Sequence, residues 1–541
     1  MHHCLTIEEI LRIVFVFAEY FPRVPRAGRS ANRELSREYQ IDLRTLFYLA
    51  LTCKRFQSLA LDRLWRKQWG LENLIALLPK GQMRLKNATD ADWARFDAYA
   101  RRVKKLSVHN DENCIMIPPS LPSCAVMETL SARPKPILPS LKDFTWASTA
   151  VSAELLGYFD IFLGPSVTNF LLVTDQELFP GVGPLEVPDD NVESLGMADD
   201  DVESMEISDD DDDLVELLIS KAEMKLANLS SMSPMLEDFH FGTQGTPQLV
   251  LQLPQIVSSL SKLRYFYCTV INLPFPFELL SALSVHPSLE FLELYVDSQD
   301  DQYPIIEQDV SVTVAIQATF STLQYLVLGG ASPFFCAEAL KGIKFSALKS
   351  IKLQVDEATG LRDALVAVNT SCSPRAFREL KVVEFPGGDP SGDGIVVTGN
   401  DLWILRKFKF LTSLVIYCPF DLTDHDLRNI ATWWPRLQTL SMGKYGWRIA
   451  HRVTLVGLLE LVKGCPRISE LDVAFNPMQP AGVVPQGHRN KRLTTLGVCD
   501  SPVEGDPQDI ANRLKALFPR LGTIRASPGG YGDWPQVELG L

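Results

Sequence analysis

The sequence predicts an α/β protein: an N-terminal three-helix block, then a solenoid of strand-plus-helix units with a parallel concave sheet and convex helices. Three observations predict it. An apolar-x-x-apolar-x-apolar motif recurs from Leu236 to Leu521 at intervals of 25 to 34 residues. Stretches of helical apolar spacing fill the gaps between motifs, and residues 1–70 carry helical stripes without the motif. A period of this length marks units that cannot bury their apolar faces alone and must stack.

Residues 1–70 form the helical block. Leu5, Ile7, Ile10, Leu11 and Val14 fall at helical spacing, then Leu46, Leu49, Ala50 and Cys53, then Leu61, Leu64 and Trp65. Phe21 to Gln40 separates the first stripe from the others and holds five arginines and two prolines. It is expected as a solvated loop, not a nucleic-acid contact. Residues 71–102 follow as a helical linker. Residues 103–179 hold irregular first repeats at Val103, Leu106, Val108; at Leu141, Phe144, Trp146; and at Val167, Phe170, Leu172.

Residues 180–220 are an acidic insertion. Between Glu186 and Glu216 there are 15 acidic residues and no Lys or Arg, so the net charge of −14 is local; the remainder is balanced at 51 acidic against 52 basic. Asp189–Leu195 recurs almost unchanged as Asp199–Met205. Such low-complexity acidic sequence cannot pack and is expected to be disordered, with Ser208 its best phosphate acceptor.

The main array occupies 221–541. Its motifs read Leu236, Phe239, Phe241; Leu263, Phe266, Cys268; Leu289, Leu292, Leu294; Leu323, Leu326, Leu328; and Leu348, Ile351, Leu353. They continue as Leu380, Val383, Phe385; Leu411, Leu414, Ile416; Leu437, Leu440, Met442; Ile468, Leu471, Val473; Leu493, Leu496, Val498; and Leu521, Ile524, Ala526. Each should be a short strand, since alternate side chains point to opposite faces. Helices are predicted over Pro276–His286, Asn400–Phe410, Thr423–Trp434, Thr454–Lys463 and Asp506–Phe518. Pro287, Pro435, Pro466 and Pro519 stop the preceding helices and push their predecessors toward extended backbone.

The residues Cys4 to Ile10 with Ile13, Leu46 to Ala50, Thr52-Cys-Lys-Arg-Phe56 and Ala60-Leu-Asp-Arg-Leu-Trp65 resemble an F-box. Thr6 replaces the usual proline, and the first inter-helix loop is about twenty residues longer than in compact members. The repeats are similar to the leucine-rich repeats of F-box proteins, with irregular residues at the family's Asn or Cys ladder position. The resemblance implies a substrate receptor of a Skp–cullin–F-box ubiquitin ligase. It places Skp-adaptor contacts, and through the adaptor a cullin, at Leu5, Ile7, Ile10, Leu11, Leu46, Cys53, Leu64 and Trp65. A scaffold of the same architecture working outside ubiquitin ligases is the alternative.

Outward strand positions carry Tyr265, Tyr267, Phe291, Tyr295 and Tyr325, a candidate aromatic platform for an unidentified target protein. Metalloprotease, serine-hydrolase and phosphate-loop motifs are absent, so no catalysis, cofactor or metal is expected. The glycine-rich run Gly387–Gly394 reads as a surface loop. Ten cysteines without a C-x-x-C pair, no signal-like start and no convincing bilayer span point to the cytoplasm or nucleus.

Overall fold

The computed structural model describes residues 11, 43–79, 88–108, 123–147, 153–173, 220–244, 247–271, 278–297, 317–329, 333–355, 360–384, 396–442, 452–477, 489–503, 505–526 and 534–541. Leu5, Ile7 and Ile10, the arginine-rich excursion, residues 180–219 of the acidic segment and Gly387–Gly394 lie outside them. The chain divides into two compact units, Met1–Gly242 with Ser259–Lys262, and Thr243–Ser258 with Leu263–Leu541.

In the first unit, α1 (Leu43–Thr52) packs on α2 (Lys54–Leu64). Their stripes form one cluster in which Leu46, Ala50, Leu59 and Ala60 are buried with Leu11, and Leu49, Phe56 and Leu64 pack against it. Cys53 breaks the helix with extended backbone, φ −158° and ψ 159°. Strands β1 (Lys67–Trp69), β2 (Lys105–Val108), β3 (Asp143–Ala147), β4 (Asn169–Val173) and β5 (Asp238–Gln244) then pair in parallel in that order.

The sequence reading ends its helical block at residue 70 and starts repeats at 103, so β1 is a correction. Gln68 occupies the register position of Leu106 and is buried. Its amide is satisfied by the Leu64 carbonyl at 3.3 Å and by Asn73 Nδ2 at 3.0 Å. A polar residue at a core position hid this strand, and a hydrogen-bonded amide is what allows it to be buried.

From β2 to β5 the register aligns Leu106, Phe144, Phe170 and Phe239. Phe144 stacks on Phe170 at 5.3 Å and Phe170 on Phe239 at 5.8 Å, with planes 10° and 13° apart. Asp160, which is buried, accepts from Lys135 at 2.5 Å and from Lys225, on a helical stretch before β5, at 2.7 Å. Two ammonium groups compensate a carboxylate that would otherwise be costly to bury.

In the second unit, β6 (Tyr265–Ile271), β7 (Phe291–Asp297), β9 (Tyr325–Gly329), β11 (Ser350–Val355) and β12 (Glu379–Glu384) are successive parallel neighbours. The series continues through β14 (Ser413–Ile416), β16 (Thr439–Met442), β17 (Glu470–Asp472), β18 (Thr495–Cys499) and β19 (Thr523–Ala526). Two short parallel pairs lie beside them: β8 (Ala318–Phe320) with β10 (Ile343–Phe345), and β13 (Val397–Thr398) with β15 (Phe420–Asp421).

The motif positions among the described residues are buried as expected, with two differences, and Phe385 lies outside the described residues. Leu380 pairs with Ile351 and Leu414, the middle residues of their motifs, so the buried set in β12 is Phe377, Leu380 and Val382. Val383 is only half-buried, because it falls on the other side of the pleat. At the far end Ala526 is exposed, consistent with a terminal strand that has a neighbour on one side.

Helices connect the strands, and their ends follow local rules. Asp424–Trp433 starts at a Thr423–Asp426 capping box, Leu455–Gly464 at Thr454, and Pro507–Leu517 at Asp506 with Pro507 in its first turn. Trp434, Cys465 and Phe518, each before a proline, leave helical geometry at ψ 66°, 69° and 78°. All three side chains are buried, so the stop signal also delivers a core residue. Among the described residues, no helix is long and apolar enough to cross a membrane.

Candidate functional site

Side chains that alternate with the buried motif residues form the open face of the second unit's sheet. Parallel register sets Tyr265 beside Phe291 and Phe291 beside Tyr325. Tyr267 reaches diagonally to Phe291, ring centroids 4.9 Å apart, and Phe291 stacks with Tyr325 at 6.4 Å and 30°. Three strands thus present one ladder of rings. The rings touch each other and still meet solvent: Tyr325 is 44% exposed, and Tyr267 and Phe291 are half-buried. Aromatic contacts of this kind stabilise by about 0.5–1.5 kcal/mol beyond burial, so the platform is ordered before any partner arrives.

Tyr295 departs from the expectation. It shares the parity of Phe291 but is only 8% exposed. A Cβ on Gly329, its register partner, would stand 3.1 Å from Tyr295 Cδ2, so the missing side chain lets the ring lie flat over β9. Tyr295 is therefore covered on its own face and offers little ring surface to a partner.

Charges flank the rings. Arg264 lies 5.5 Å from the Tyr265 ring centroid and bonds Glu290 at 2.8 Å. Further along the face, Lys352 and Lys381 are register partners, while Lys381 also lies 5.9 Å from the Tyr417 ring. Burial, then the neighbouring Lys381, hold the Lys352 ammonium below its ordinary pKa, with Glu293 opposing them.

The helical block offers a second surface. Leu11 and Leu46 are interior, Leu64 packs on their cluster, and Cys53 is half-buried between the helices. Trp65 is half-buried with its ring 4.5 Å from that of Tyr99. The exposed apolar residues of α1 are instead Phe47 at 52%, Tyr48 at 66% and Leu51 at 67%. Sequence reading passed over them because they lie off the Leu46, Leu49, Ala50 stripe. Their i, i+4 spacing was the available signal, since Phe47 and Leu51 must share a face.

Several cysteines occupy core positions of the array. Burial pushes the Cys372 and Cys465 thiols up to about 12 and raises those of Cys268 and Cys499. No three His, Cys, Asp or Glu side chains among the described residues are grouped to hold a metal ion.

No protein-family model matches the chain, and no curated protein matches it. Among solved structures, a chain of the yeast Rad7 and Elc1 complex matches at 13% identity with a TM-score of 0.29, covering 57% of this chain and 76% of that one.

Proposed function

We propose that this protein is a non-enzymatic receptor: its open sheet face binds a target protein, and its helical block binds a Skp-type adaptor of a cullin-based ubiquitin ligase. The observation that carries the receptor half is the Tyr267–Phe291–Tyr325 ladder, a preordered aromatic surface on neighbouring strands. Large rings fixed in place lose little entropy on binding and supply most of the energy of protein interfaces. The adaptor half rests on the F-box resemblance of residues 4–65, together with the exposed Phe47, Tyr48 and Leu51 on α1. Apolar side chains exposed together on one helix suit a partner helix surface.

A scaffold acting outside ubiquitin ligases is the second reading. It is favoured by Leu11 and Leu46, motif positions that are interior in this structure. Adaptor binding separates the two readings. Purified chain should retain a purified Skp adaptor, and Phe47→Ser with Leu51→Ser should abolish that retention; no retention by the unaltered chain would remove the ligase assignment. Replacing Tyr267, Phe291 and Tyr325 together by Ala should eliminate proteins co-purifying under proteasome blockade while leaving the adaptor bound. Unchanged co-purification would refute the platform.

A further inference from the structure

A cleft in the first unit, distant in sequence from the aromatic ladder, gathers cations. It has a volume of about 330 Å³ and is lined by Arg63, Arg66, Arg101, Arg102 and Lys104, with Asp62 as the only carboxylate among the described residues of its wall. That volume lies at the lower end of the range of small-ligand pockets.

The backbone enforces the gathering. The Arg66 carbonyl accepts from both Lys104 and Lys105 N–H at 2.8 Å, fixing the start of β1 against the start of β2. Arg102 reaches across to the Ser58 carbonyl at 3.1 Å and pairs with Asp62. Arg66, Arg101 and Lys104 form no ion pair with any described residue.

Helix ends account for part of this charge. α2 ends at Leu64 and the helix Asp90–Ala100 ends nearby, each presenting a C-terminus that attracts cations. Each terminus is equivalent to roughly half a negative charge. Asp62 pairs with Arg102 and Arg63 has an interaction of its own, which leaves Arg66, Arg101 and Lys104 as about three positive charges without a paired carboxylate among the described residues, offset only in part by the helix ends. Like charges held side by side repel, and a bound anion relieves that repulsion. Guanidinium forks match phosphate oxygens in geometry better than they match a single carboxylate point.

We infer that this cleft is a binding site for a compact phosphate-bearing anion, held by Arg66, Arg101 and Lys104, with Arg102 set in place by Asp62. The phosphate belongs to a free small molecule or to a phosphorylated side chain of a partner. The inference is independent of the adaptor reading, and its test needs no adaptor.

Calorimetric titration of the full chain with inorganic pyrophosphate tests it, with a phosphoserine peptide and its unphosphorylated twin as second and third arms. Saturable binding is expected that weakens at least tenfold between 50 and 200 mM salt, as for other multi-cation phosphate sites. Arg66→Gln with Arg101→Gln should weaken it at least tenfold, whereas Lys341→Gln in the second unit should not change it. Binding of pyrophosphate alone identifies a small-molecule site; selective binding of the phosphopeptide identifies a partner's modified side chain. A readout that needs no variant is modification of the unaltered protein by phenylglyoxal, where pyrophosphate should protect Arg66 and Arg101 selectively. Absence of saturable binding in every arm, full binding by the double variant, or no protection at these two arginines by whichever of pyrophosphate and phosphopeptide binds would each overturn the proposal.

Discussion

His286 shows how a single side chain couples the array to solution conditions. It ends the helix before Pro287, is 5% exposed, and its Nε2 has no hydrogen-bond partner among the described residues. Burial lowers its pKa below the ordinary 6.5, opposed by a hydrogen bond with the Val257 backbone. The folded protein therefore resists a proton that the unfolded chain accepts, and stability is lost as pH falls through 6.5 toward the lowered value. Each unit of depression corresponds to about 1.4 kcal/mol. Thermal melts from pH 7.5 to 5 should show a smaller drop in Tm for His286→Leu than for the unaltered chain. Parallel curves would assign the acid sensitivity elsewhere. The sequence displays this histidine but not its burial, which depends on residues from the preceding repeat.

Elements were legible wherever local chemistry specifies them. The capping residues Thr423 and Asp426, and the prolines after Trp434, Cys465 and Phe518, set helix limits within a residue or two of those expected. Thr423 N–H and hydroxyl both donate to Asp426, at 2.9 and 2.7 Å. Thr423→Ala should cost about 1 kcal/mol, seen as a lower urea midpoint with unchanged slope. β1 escaped notice because Gln68 breaks the apolar pattern. The β12 motif was set three residues late because Leu380, Val383 and Phe385 fit the same template as Phe377, Leu380 and Val382. Only pairing with Ile351 and Leu414 decides between them. On the open face, the five aromatic residues were legible by parity, whereas the covering of Tyr295 was not. It requires Gly329, 34 residues away, to leave room.

At the scale of the molecule, a stack of repeats holds together through nearest neighbours, so damage in one strand is felt most by the strands beside it. The phenylalanine spine of the first unit makes this testable. Phe170 is buried between Phe144 and Phe239, and its truncation leaves a cavity touching both. Phe170→Ala should cost about 3–5 kcal/mol. Hydrogen exchange should accelerate first in β3, β4 and β5; uniform acceleration across every strand of the chain would instead indicate a single cooperative block.

The Asp160 clamp has a consequence for how this chain tolerates change. Strands β4 and β5 meet in register, Asn169 Nδ2 donating to Asp238 at 3.0 Å, although 69 residues separate those two positions. The carboxylate pairs with Lys135, ahead of β4, and with Lys225, in the helical stretch that leads to β5, so the chain is tied on both sides of residues 174–219. Closing a doubled tether adds only about 0.6 kcal/mol. Insertions and duplications can therefore accumulate at this seam with little thermodynamic resistance, and the tract Asp189–Leu195 with its near copy Asp199–Met205 is the kind of growth such a seam permits.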